Sequence, residues 1–449
     1  MTHRLGDLMS EDWRPLWELQ PDSVSRVAAL GAELMSAGCV PDRLAGVFFV
    51  PGRIEVLGKH TDYAGGRSLV TATEQGIFMV SCPRQDTMIR MLDAGRGQAV
   101  EFELDSPLPN EVESWTLYPR TVARRLVQAV DRSLVGADVV FESNLPASAG
   151  LSSSSVLVIA TFLALQRCND LDLDPRFKTA LQSREDLAAF LGAVETGRPF
   201  GPFQAGDGVG ARGGDQDHTA ILCAAQGEIR QYRFLPTVRE RTLSMPRDFV
   251  FALAVSGVQA EKTGAARVDY NRVSDLAARL EEVWRTSSSG TSATLGSIVR
   301  LSPGGIASLE SALEKSHVEP RERRDLKRRL SQFQQETEEI IPSAGDALAL
   351  GDLAAFGHWV DKSMRLAIEL LGNQIEETVR LTAAARDLSA VAASAFGAGF
   401  GGAVWALVRE DEVGGFLDRW SRGYLDEFPE RQNEAQFLST VAGGPATEL

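Results

Sequence analysis

The chain has 449 residues, 44% hydrophobic and 24% charged, with a formal net charge of −15. That composition is ordinary for a globular protein in water, and the length exceeds one hydrophobic core, so two domains or one bilobal unit are expected. The negative balance argues against broad contact with nucleic-acid phosphates or anionic membranes, yet it allows a local basic site for a small anion.

Residues 12–38 carry Leu, Val and Ala at helical spacing and stop at Gly38, which predicts a helix. LAGVFFVPGR predicts a buried strand that ends in a Pro-Gly turn. GRSLVTATEQGIFMVSCP and DTMIRMLDA predict further strands, SWTLYPRTVARRLVQAV a helix, and GADVVFES a strand. SSSSVLVIATFLALQR is a strongly apolar helix, and REDLAAFLGAVE another. A Gly-, Pro- and Phe-rich loop follows at 196–214. HTAILCA and EIRQYRFL then predict a hairpin around Gly227. The second half is richer in helix, at 264–286, 321–340 and 352–371, and it closes with GAGFGGAVWALV and a helix near 411–421. RTSSSGTSATLGS (285–297) reads as the most flexible segment. The charge run EPRERRDLKRR reads as a solvated helix face. Strands and helices mix without strict βαβ alternation, which favours an α+β arrangement.

Cys39, Cys82, Cys168 and Cys223 show no CxxC spacing and read as reduced thiols. The opening MTHRLGDLMSEDW lacks the apolar core of a secretion signal. No apolar run reaches the roughly 20 residues of a membrane helix, so a cytoplasmic location is expected.

Three stretches carry chemistry. In NLPASAGLSSSSVLVIA (144–160) a loop of small residues opens into an apolar helix. It reads either as an anion site, with backbone N–H groups and the helix dipole converging on phosphate, or as a Ser-rich helix cap. No GxxxxGK[ST] is present, so it is not a P-loop. AFGAGFGGAVWALV (395–408) reads as close backbone approach, or as an ordinary glycine turn feeding a strand. PGRIEVLGKHTDYAGG (51–66) sets Arg53, Glu55, Lys59, His60 and Asp62 beside the apolar GVFFV.

Together these stretches resemble the GHMP kinase superfamily and, within it, the galactokinase family. The family pattern PGRxNLIGEHxDYxxG is matched at Pro51, Gly52, Arg53, Leu57, Gly58, His60, Asp62, Tyr63 and Gly66. PxxxGLSSS is matched by PASAGLSSS, and GAGFGG by residues 397–402. The resemblance implies a two-lobed α+β GHMP kinase fold. Its N-terminal domain would be ribosomal-protein-S5-like and its C-terminal domain a ferredoxin-like α/β domain, with the active site in the cleft between them. Domains are expected at 1–210 and 211–449. The implied activity is ATP-dependent phosphorylation of the anomeric hydroxyl of a monosaccharide, galactose or a related aldose, giving a sugar 1-phosphate and ADP. The alternatives are a kinase for an anionic sugar such as a uronic acid, and an inactive sugar and ATP sensor. Expected partners are a sugar and ATP, with no nucleic acid and no membrane, in a monomer or weak homo-oligomer.

The resemblance also implies roles. Arg53 would sit beside the reacting hydroxyl and the γ-phosphate, where a guanidinium stabilises transferring charge. His60 and Asp62 would bind sugar hydroxyls, with Gly214, Tyr270 and Lys59 beside them. The family's catalytic aspartate falls in GGDQDHTAIL. A glycine three residues before and another ten after favour Asp217, with Asp215 as the alternative. Ser148, Ala149, Gly150, Leu151, Ser152, Ser153 and Ser154 would cradle the nucleotide, and Trp115 would line the adenine pocket. Ser154 and Glu195 would hold Mg²⁺. Two positions depart from the pattern. Glu55 stands for asparagine, and Lys59 stands for a glutamate that contacts the far end of the sugar near C6. Three readings of Lys59 stay open: pairing with an acid such as Glu55, contact with an anionic C6 group, or a different sugar site.

Overall fold

A computed structural model describes residues 3–10, 13, 22–109, 115–146, 150–258, 267–288, 293–301 and 304–449. Among these, nine strands form one sheet: β1 (His3–Arg4), β2 (Leu44–Leu57), β3 (Arg67–Pro83), β4 (Met88–Asp93), β5 (Gln98–Glu103), β6 (Ala137–Ser143), β7 (Glu228–Arg233), β8 (Val238–Ser244) and, from the end of the chain, Thr447–Glu448. The central order is β1-β2-β3-β6-β4-β5. β4 runs parallel to β6, while β2, β3, β6 and β7 pair antiparallel.

The GVFFV run of β2 is apolar on both faces because both faces are covered. Phe48 and Val50 enter the main core with helices α2 (Leu117–Ala129), α3 (Ser153–Cys168), α5 (Arg184–Thr196) and, through Phe177, the short α4 (Pro175–Ala180). Val47 and Phe49 face the opposite way, against α1 (Ser23–Ser36). The predicted 12–38 helix is thus seen from Ser23; residues 14–21 lie outside the described set.

β2 does not stop at its Pro-Gly pair. It continues to Leu57, with irregular register between Pro51 and Arg53 and again between Glu55 and Leu57. Proline, which has no N–H to give a ladder, is tolerated at such a bulge. The strand therefore carries Arg53 and Glu55, two residues apart, onto one face.

The predicted hairpin is corrected. Gln216–Leu222 is a helix, α6, and β7 pairs with β8 instead. Every residue of α6 is buried, polar and apolar alike, so its sequence carries no face pattern to tell helix from strand. β7, β8 and the terminal strand Thr447–Glu448 all belong to the first sheet, so sheet membership does not divide the chain at a single point.

The second sheet has order β10 (Ala392–Ala395), β11 (Ala403–Arg409), β9 (Phe249–Val255), β12 (Gln436–Thr440), antiparallel throughout. β9, FVFALAV, is again two-sided. Phe251, Leu253 and Val255 join the main core, and Val250, Ala252 and Ala254 pack with Phe416 and Trp420.

Between β9 and β10 in sequence lie helices α7 (Arg267–Ser287), α8 (Leu295–Val299), α9 (Gly305–Lys315) and α10 (Pro320–Gln334), which share a core of Leu280, Leu309, Leu326 and Phe333. The 285–297 segment is therefore helical where described, apart from Ser288, Ala293 and Thr294; residues 289–292 are outside the described set. The charge run of α10 is not wholly solvated, since Arg329 is buried. No helix among the described residues is long and apolar enough to cross a membrane.

Candidate active site

Arg53 and Glu55 of β2 line a cleft of about 530 Å³ together with His60, Asp62, Asp217 and Tyr270. Buried Arg53 gives both Nε and Nη2 to Asp217 Oδ1, each at 2.7 Å. Its Nη1 donates to the carbonyl of Gly150, and its backbone N–H donates to Leu151 O at 3.3 Å. The guanidinium of Arg53, 164 residues from Asp217 in sequence, thus joins the start of α6 to the loop before α3. Gly52 makes this approach possible: a Cβ there would stand 2.7 Å from Leu145 Cδ2 and 3.2 Å from Leu151 O.

Asp62 Oδ2 accepts from the N–H of Gln216 at 3.0 Å, at the N-terminal end of α6. A Cβ on Gly214 would lie 2.3 Å from that oxygen, so glycine is required for the contact. Burial pushes the Asp62 carboxyl up to about 6, and the neighbouring Asp215 charge adds to the shift. Asp215 itself does not line the cleft; its Oδ2 accepts from the Thr237 hydroxyl. Of the two aspartates weighed from sequence, Asp217 is the one that meets Arg53.

His60 has φ 56°, in the left-handed region, and its ring lies 5.2 Å from that of Tyr270. Its Nδ1 is 3.0 Å from Tyr63 Oη and its Nε2 is 3.3 Å from Ala398 O. The strained turn is held from outside. Arg329 donates to His60 O and, at 3.3 Å, to Tyr63 Oη; Gln332 donates to Lys59 O; Glu336 accepts from Gly58 N at 3.0 Å; Thr337 accepts from Arg67 N. These partners lie about 270 residues downstream, and sequence reasoning missed them. The available signal was Arg329 at the apolar spacing of Leu326, Leu330 and Phe333.

Lys59 is not in the cleft. It is fully buried, with Nζ 2.8 Å from Ser394 Oγ and 3.5 Å from Ser363 Oγ. Ser363 in turn donates to Glu336 at 2.9 Å. The expected placement of Lys59 against a sugar is corrected: its strand-end position turns it into the interior.

The loop before α3 is described from Gly150. Ser148 and Ala149 lie outside the described residues. Gly150 and Ser152 both have positive φ, 72° and 64°. The Ser152 hydroxyl is buried at the helix start and has no hydrogen-bond partner among the described residues. That is an orphaned donor where phosphate oxygens would sit. Leu151 is buried, while Ser153 and Ser154 are half-buried. Ser155, not Ser154, meets Glu195, donating to Oε2 at 3.1 Å. His218 Nε2 stands 3.2 Å from the same oxygen. Ser155 and Glu195 line the cleft, and a hydroxyl beside a carboxylate is an oxygen donor set suited to Mg²⁺. Among the described residues there is no group of three or more His, Cys, Asp or Glu that could hold a metal ion. Trp115 lies outside the cleft lining, edge-on to Phe141 at 5.5 Å and bonded to Gln98 at 3.2 Å.

The glycine stretch closes the other wall. Gly399, Gly401 and Gly402 have positive φ, and a Cβ on Gly397 would come within 2.2 Å of Glu55 Oε2.

A buried Arg–Asp pair, an anion-ready helix start and a polar pocket, shared between these two sheets, define a small-molecule kinase of the GHMP superfamily. Its N-terminal and C-terminal domain signatures match residues 118–201 and 344–426. The galactokinase galactose-binding signature matches residues 40–83, so the chain carries the galactokinase-specific signature together with both GHMP kinase domains. It is 28% identical to a Streptococcus mutans galactokinase over 405 residues, covering 88% of this chain and 93% of the relative. A Chloroflexus aurantiacus galactokinase is 29% identical over 395 residues, covering 86% and 89%. In fold it is similar to Lactococcus lactis galactokinase complexed with galactose, with TM-score 0.71 at 20% identity over 90% of this chain and 95% of that one. The L. major mevalonate kinase in complex with R-mevalonate shares the fold more loosely, with TM-score 0.53 at 15% identity over 89% and 97%.

Proposed function

We propose that this chain transfers the γ-phosphoryl group of ATP to the anomeric hydroxyl of galactose or a closely related aldose. The observation that carries the reading is the 2.7 Å Arg53–Asp217 pair in the cleft that also holds His60, Asp62 and Tyr270. The C1 oxygen attacks the γ-phosphorus and forms the new O–P bond. The bond to the β-phosphate oxygen breaks, ADP leaves, and Asp217 takes or orients the hydroxyl proton. Arg53 offsets charge on the phosphoryl group, and most of the rate comes from positioning in a water-poor site. Gly150–Ser152 would hold phosphate oxygens with backbone N–H groups and the Ser152 hydroxyl. Ser155 and Glu195 would hold Mg²⁺, which supplies charge neutralisation across the β- and γ-phosphates. Asp62 and His60 would bind sugar hydroxyls.

The experiment is ADP release with ATP, Mg²⁺ and galactose, run from pH 5 to 8. Turnover is expected, with kcat/KM for the sugar falling below pH about 6. The sign follows from Asp62. Its carboxyl is raised, so its acceptor-only ionised form is complete above that value and lost as pH falls through it. A flat profile down to pH 5 would remove Asp62 from sugar binding. Binding of ATP and sugar without ADP release would make the chain a sensor.

A further inference from the structure

Glu55 is an acid at a cleft-lining position where the family pattern has a neutral amide, and its surroundings fix it in place. Oε2 accepts from Gln216 Nε2 at 2.7 Å. The amide cannot flip, because its own oxygen accepts from the Ser68 hydroxyl and its nitrogen faces Glu55. Gly397 leaves the room that Oε2 occupies. Oε1 is buried in a side chain only 3% exposed, and it accepts no hydrogen bond among the described residues. A buried carboxyl oxygen left without a hydrogen-bond partner is destabilising, and a ligand that supplies one removes that penalty. The charge of the wall gives the class of ligand. Glu55, Asp62, Glu195 and Asp217 line the cleft with Arg53 and His218, and Lys59, which bonds Ser394 behind the wall, favours the charged form of Glu55 without lining the cleft itself.

We propose that Glu55 is a specificity-determining residue of the acceptor site. Its Oε1 takes a hydrogen bond from a hydroxyl of a neutral aldose, and the acidic wall excludes uronic acids. This inference rests on the kinase reading above. Lost with that hydroxyl would be a charge-assisted bond, which sites built for such contacts reject strongly.

The test measures ADP release by the full chain on galactose, its 2-, 3-, 4- and 6-deoxy forms, and galacturonate. The isosteric Glu55→Gln variant and the shorter Glu55→Asn are run beside wild type. In wild type, one deoxy sugar is expected to lose about tenfold or more in kcat/KM, and galacturonate at least as much. In Glu55→Gln the penalty at that one position should shrink to within about threefold, with the other penalties kept, and the galacturonate penalty should shrink too. An even loss across all sugars would make Glu55 a structural residue. An unchanged profile in both variants, or galacturonate as the best wild-type substrate, would overturn the assignment outright. Failure of wild type on every sugar is seen before any variant is compared; it sinks the kinase reading, and the Glu55 role with it.

Discussion

Asp217→Asn is expected to lower kcat by at least about a hundredfold while ATP binding persists. The asparagine keeps an oxygen that can accept from Arg53, so the guanidinium stays in place and still reaches the Gly150 carbonyl. What disappears is the carboxylate that takes or orients the acceptor proton. A second cost is structural. Arg53 is 2% exposed, and neutralising its partner leaves a buried cation with a weaker counterpart, worth on the order of 1–3 kcal/mol of stability. The two effects separate experimentally. Nucleotide binding by calorimetry and the urea midpoint report the scaffold, and single-turnover ADP formation reports the chemistry. Asp215→Asn is the comparison. That side chain bonds Thr237 and does not line the cleft, so its variant should keep most of its turnover. Near-wild-type single-turnover rates in Asp217→Asn would remove Asp217 from proton transfer.

The parts of the site that were legible in sequence are those made by short-range constraints. Gly52 and Gly214 are glycines because another chain segment passes within bonding distance of where a Cβ would be. Gly150 and Gly399 are glycines because the backbone turns left-handed. Such demands leave a local mark, and it was the resemblance to the galactokinase family built on those marks that set the three motifs in one site. Illegible were the partners supplied from far along the chain. Arg329, Gln332 and Glu336 fix the 58–63 backbone, yet they sit in a helix whose composition reads as solvent-facing. The same limit explains α6. When every side of a short segment is buried its polar and apolar positions show no face, and only neighbours distant in sequence decide between helix and strand. The Ser154-to-Ser155 shift has a related cause. In a run of four serines the spacing cannot say which hydroxyl faces Glu195; the helix phase set by the packing of α3 does.

Lys59→Glu, which would retune the sugar profile if Lys59 contacted an anionic C6 group, is instead expected to destabilise the fold by roughly 3–5 kcal/mol. Lys59 is 0% exposed and lies in a pocket whose nearest acids are also interior. Ser363, 3.5 Å from its Nζ, donates to Glu336, whose second oxygen has no partner among the described residues. On the other side stands Glu55, whose carboxyl burial pushes up and whose charged form Lys59 favours more than any other neighbouring charge. Inverting the sign at 59 would place a third carboxylate among these two with no cation between them. Neither water nor salt can screen that repulsion in a dry interior. Lys59→Met removes the cation without adding an anion and should cost less. The urea midpoints of both variants, and the galactose-to-galacturonate ratio of whatever remains folded, decide the matter. A Lys59→Glu protein as stable as wild type, with its preference moved between those sugars, would put the ammonium back in the cleft. A large loss of stability with an unchanged ratio would show that this lysine balances charge behind the sugar site and never touches its ligand.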